Sequence, residues 1–148
     1  MIGSRKRAFI SGAGGRIVLI IRRLKCKACG RVHHELPDIL VPYKRYSSES
    51  IEAVVSGDAA LSVAADESTI GRWRNWFSCL AGYFAGCLIS LAVRYMKNAV
   101  EEMPELPSSS LQRIWRYVGD GPGWLARVVR PVVNANYWLQ TCSAFLSG

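Results

Sequence analysis

Ile17-Val18-Leu19-Ile20-Ile21-Arg22-Arg23-Leu24-Lys25-Cys26-Lys27-Ala28-Cys29-Gly30 is a β-branched strand that runs into a paired-cysteine turn. Branched side chains favour the pleated backbone, which predicts a strand over 17–24. Upstream, Ser11-Gly12-Ala13-Gly14-Gly15 has the glycines that tight turns use, and residues 5–10 form a second strand. Together they predict an N-terminal β-hairpin whose outgoing arm delivers Cys26 and Cys29.

The Cys26-x-x-Cys29-Gly30 spacing lets two thiolates meet one metal ion, with the glycine permitting the tight turn around it. A structural Zn²⁺ site needs four ligands, and His33 and His34 are the nearest further donors. The alternative is two unligated thiols in a turn. Cys79, Cys87 and Cys142 stand singly in apolar stretches and read as small buried hydrophobes. Five cysteines, with a Gly/Ser and basic stretch after Met1 in place of an apolar signal core, predict a reduced, cytoplasmic chain without disulfides.

Charge divides the 148 residues unevenly. Residues 1–45 carry eleven Lys and Arg against Glu35 and Asp38, whereas the rest is near neutral, giving +8 in all. A basic segment of this kind suits a polyanionic partner; a solvated basic face is the plainer reading. Arg5, Lys6, Arg7, Arg22, Arg23, Lys25 and Lys27 are the candidate phosphate contacts.

Residues 38–46 contain Pro42 and no clear period, and read as a linker between a hairpin-and-knuckle unit at 1–46 and a helical unit at 47–148. Ser47 or Ser48 can cap a helix whose Ile51, Val54 and Val55 share one face. A short second helix over 59–65 and a third starting near Thr69, after an Asp66-Glu67-Ser68 cap, complete a helix-turn-helix at about 47–80. On the third helix Ile70, Trp73 and Phe77 repeat on a buried face. The opposite face presents Ser68, Arg72 and Asn75, with Arg74 placed to reach the backbone of a duplex. Arg pairs with guanine and Asn with adenine in a major groove, and a helix N-terminus meets phosphate; an ordinary amphipathic helix has the same pattern.

From 75 to 93 there is no charged residue. The stretch is long enough to cross a membrane, but a buried central helix, either separate from the third or continuous with it, accounts for it too. Further helices are expected at 111–118, 124–129 and, after Pro131, 132–145, with a loop at 103–110. Trp115, Trp124 and Trp138 read as core anchors.

The runs Arg22–Asp38 and Ser68–Trp73 together resemble a bacterial domain family of the DUF6431 type. That family is similar to the N-terminal zinc-ribbon and helix-turn-helix region of insertion-sequence transposases such as the ISL3 group. The resemblance implies a four-cysteine ribbon closed by an earlier CxxC knuckle ahead of the hairpin. In this sequence Met1 falls just before the hairpin, where that knuckle should already have passed; either the true start lies upstream or this is a truncated copy, and only Cys26 and Cys29 carry over.

The fold expected is mainly α, with a small N-terminal β-hairpin, a helix-turn-helix and further helices. The function expected is non-catalytic binding of double-stranded DNA, without a small-molecule substrate. Asp58, Asp66 and Glu67 sit at turns and caps and do not form a nuclease centre. A membrane-associated protein spanning near 76–93, or a protein-interaction module, are the rival expectations.

Overall fold

The computed structural model describes residues 1–58, 62–95, 109–138 and 144–146. It begins with three antiparallel strands: β1 (Gly3–Ile10), β2 (Arg16–Lys25) and β3 (Val32–Leu36). Four helices follow: α1 (Ser48–Val55), α2 (Glu67–Tyr95), α3 (Ser110–Val118) and α4 (Trp124–Asn134). A last strand, β4 (Ala144–Leu146), pairs parallel to β3, so the sheet order is β1-β2-β3-β4.

The hairpin forms as the sequence predicts. Gly14 takes φ +84°, and the Ser11 amide donates to the Gly15 carbonyl at 2.9 Å. Register then fixes the faces. Arg5 lies opposite Ile21, Lys6 opposite Ile20 and Arg7 opposite Leu19. Successive residues of a strand alternate in face, so Arg5, Arg7, Phe9 and Ile21 share the inner face with Leu36, and Lys6, Ile20 and Arg22 share the outer one.

One apolar cluster runs from Phe9, Ile21 and Leu36 of the sheet to the helices. In α2 the buried positions include Trp73, Phe77, Ala81, Phe84 and Leu88, a single helical stripe. Trp124 is 1 % exposed and meets Phe77 (5.5 Å between centroids) and Trp115 (6.0 Å), and Phe84 stacks on Trp138. The three tryptophans therefore anchor the core as expected.

The local sequence misleads in several places. Residues 62–66 are not helical, which corrects the short second helix; its residues 59–61 lie outside the described residues. Asp66 Oδ1 accepts from the Thr69 amide at 2.7 Å, which caps α2 and keeps residue 66 outside the helix. The segment 38–46 is no loose linker, because Leu40 and Val41 are fully buried and Tyr46 bridges to Ile10. Two adjacent apolar residues give no period to read.

α4 continues through Pro131 and ends at Asn134, replacing the separate helices expected at 124–129 and 132–145. Asn136 adopts φ +62° and the Tyr137 amide donates to the Val132 carbonyl at 2.9 Å, a left-handed stop. Residues 144–146 are strand. Residues 139–143, and 103–108 of the expected loop, lie outside the described residues.

Candidate metal centre and basic surface

At the knuckle, the Cys26 amide donates to the Arg31 carbonyl and the Gly30 amide to the Cys26 carbonyl, each at 2.9 Å. Gly30 turns at φ +69°, which a side chain would resist. The loop brings Cys26 and Cys29 back over β3. The donor atoms of Cys26, Cys29 and His33 all lie within 4.8 Å of one another, and this group can hold a metal ion. Cys29 Sγ and His33 Nε2 are 3.6 Å apart. Sulfur and nitrogen ligands on one tetrahedral Zn²⁺ stand about 3.5 Å apart, given bond lengths of about 2.3 and 2.0 Å, close to this spacing. Hydrogen bonds from the backbone and thiol of Cys29, and then from the backbone of Ala28, hold the Cys26 thiol below its ordinary pKa, which favours the thiolate that metals require.

His34 is not a member of this group. Its place next to His33 on β3 turns it to the opposite face, where it lines a cavity with Arg5 and Arg7. Burial, followed by the charges of Arg5, Arg23, Arg7 and His33, pushes the His34 imidazole below its ordinary pKa. Of the two histidines proposed as ligands, strand phase selects one.

The basic residues of the hairpin separate likewise. Arg22 forms a two-pronged ion pair with Glu35, with Nη2 to Oε1 at 2.6 Å, and that contact holds its guanidinium above its ordinary pKa. Arg7 is half-buried and donates through Nη2 to the Lys44 carbonyl at 3.0 Å. Arg5 and Arg23 make no ion pair or side-chain hydrogen bond with other described residues. Lys6, Lys25 and Lys27 are exposed.

On α2, Arg72, Arg74 and Asn75 are all exposed, and Trp73 and Phe77 are buried. Arg72 folds back along the first turns, donating to the Ser68 carbonyl (3.2 Å) and Ser68 Oγ (3.1 Å). Ser68 in turn donates to Asp66 Oδ1 at 2.8 Å, so a carboxylate already sits at this helix N-terminus. Arg74 lines shallow clefts beside Val55 and beside Asp58. Cys87 is buried as expected, but Cys79 is exposed and donates weakly toward Asn75 Oδ1 at 3.9 Å.

α2 is also long and apolar enough to cross a membrane, and only a third of its most apolar 18-residue window is buried. Tyr83, Ile89 and Val93 are exposed on it.

Residues 1–73 match the model of a family described as a domain of unknown function, DUF6431. The match covers β1, β2 and β3, the knuckle, α1 and the first turns of α2. No curated protein and no solved structure matches the chain.

Proposed function

We propose that this chain is a non-catalytic, cytoplasmic protein that binds double-stranded DNA, akin to the DNA-binding region of insertion-sequence transposases. The observation that carries the reading is the arrangement of α2. Arg72 and Asn75 are exposed on its first turns, and Trp73 and Phe77 fix the opposite side in the core. A helix held in this way presents guanine- and adenine-pairing side chains on a rigid support.

Affinity comes from the hairpin. Arg5, Lys6, Arg7, Arg23, Lys25 and Lys27 neutralise phosphates, and Arg22 contributes less because Glu35 already neutralises it. Cys26, Cys29 and His33 hold Zn²⁺, with a fourth ligand from outside this trio, and the ion fixes the knuckle beside Lys27. Mobility-shift titrations of duplex DNA in rising salt test the reading. Affinity should fall steeply with salt, and binding that is absent or indifferent to salt would overturn it.

A second reading rests on the exposed apolar side of α2. Under it, α2 associates with a membrane and the basic sheet stays on the cytoplasmic side. Resistance of the protein to alkaline extraction from membranes would favour this reading.

A further inference from the structure

A cavity of about 180 Å³ opens on the inner face of the sheet. Arg5 and Arg7 line it from β1 and His34 from β3; Ile21 and Leu36 form an apolar floor, and Tyr43 stands at its edge. We propose that this cavity is a site for one phosphate group, which under the DNA reading above is a strand phosphodiester.

Three features point to a small anion. The cavity lies below the roughly 300 Å³ at which pockets for drug-sized ligands begin, so the occupant is a single compact group. Its polar lining is cationic or hydrogen-bond donating, and among the described residues no carboxylate pairs with Arg5, Arg7 or Arg23. Two guanidiniums line one cavity with no ion-paired carboxylate among the described residues, and burial and then the charge of Arg5 push the Arg7 guanidinium below its ordinary pKa. Arginine forks match the planar faces of a phosphate, and a low-dielectric floor strengthens each contact.

The edge of the cavity is built as well. Tyr43 adopts φ +62°, a conformation uncommon for an aromatic residue. Arg7 holds the next residue through the Lys44 carbonyl at 3.0 Å. Backbone outliers of this sort cluster at ligand sites. His34 was set aside by the metal group, and here it becomes the third donor.

The test is an NMR titration of the zinc-loaded full chain, following the Arg5 and Arg7 Nε–H and Tyr43 amide signals at constant ionic strength. Inorganic phosphate should move all three saturably, chloride should not, and Arg5→Gln should weaken the effect about tenfold or more, the scale of one charge-assisted hydrogen bond. His34→Gln should weaken it too while leaving the Cys26 and Cys29 signals in place. Shifts that do not saturate, or that survive Arg5→Gln unchanged, overturn the proposal. Duplex DNA and phosphatidic-acid vesicles then identify the source: the signals should follow DNA and ignore vesicles. DNA that binds with full salt dependence but leaves them still defeats this site and spares the DNA reading. Phosphate that saturates the site while DNA fails to bind does the reverse.

Discussion

Glu52 on α1 accepts a hydrogen bond from the Leu125 amide at 2.9 Å, and its other oxygen accepts from the Gly123 amide at 2.8 Å. A carboxylate 73 positions away in sequence therefore caps the N-terminus of α4, where Gly123 takes φ +86° and offers no side chain of its own. Trp124 adds a second tie, donating from its indole nitrogen to Ser56 Oγ at 3.0 Å. α1 and α4 are locked together at this point, and α2 packs on both.

Glu52→Ala should therefore be among the most damaging single changes outside the apolar core. It orphans two backbone donors at a largely buried helix end and removes a charge that complements the helix dipole. We expect a loss of about 2–3 kcal/mol in urea unfolding, with Glu52→Gln costing less because it keeps one acceptor. A loss below about 0.5 kcal/mol, the level of a neutral surface change, would show that the cap is not formed.

Asp66 makes a second, exposed cap. Hydrogen bonds from the Thr69 backbone, and then from the Ser68 and Thr69 side chains, hold its carboxyl below the usual carboxylate range. Because the folded value lies below the unfolded one, the stabilisation is present above about pH 4 and disappears as pH falls through the folded value. Asp66→Asn should lower the melting temperature at neutral pH and narrow the gap to wild type in strong acid. A gap that stays constant with pH would contradict this sign.

Metal binding should distinguish the two adjacent histidines. Cobalt-substituted protein should show thiolate-to-cobalt charge-transfer bands that disappear in Cys26→Ser and weaken in His33→Ala. His34→Ala should leave them unchanged. A spectrum sensitive to His34 and indifferent to His33 would reverse the strand phase described here.

Glu35 restrains Arg22, so removing it should release a phosphate contact. Glu35→Ala is expected to steepen the slope of log affinity for DNA against log salt by about 0.9, the value of one added phosphate contact. An unchanged slope would place Arg22 away from the duplex.

The elements that local chemistry dictates were legible. Branched residues and a glycine-rich turn gave away β1 and β2. The Ile70, Trp73, Phe77 spacing gave the buried side of α2, and Cys26-x-x-Cys29 gave the knuckle. What stayed hidden depends on partners distant in the chain. β3 is five residues long, and its phase decides that His33 joins the cysteines and His34 joins Arg5. The Glu52 cap on α4 has no local signature, and Asn136 stops α4 in a segment whose composition still reads as helix. The cavity beside Tyr43 arises where β1, β2, β3 and residues 42–43 converge, so no window of sequence contains it.

Selection of bound duplexes from a randomised pool, run with wild type and with the Arg72→Ala/Asn75→Ala variant, decides whether α2 reads base sequence. Wild type should enrich a short motif, and the double variant should lose it while keeping the same salt dependence, because the hairpin is untouched. Identical enrichment by both proteins, or no retention of duplexes by either, would contradict it.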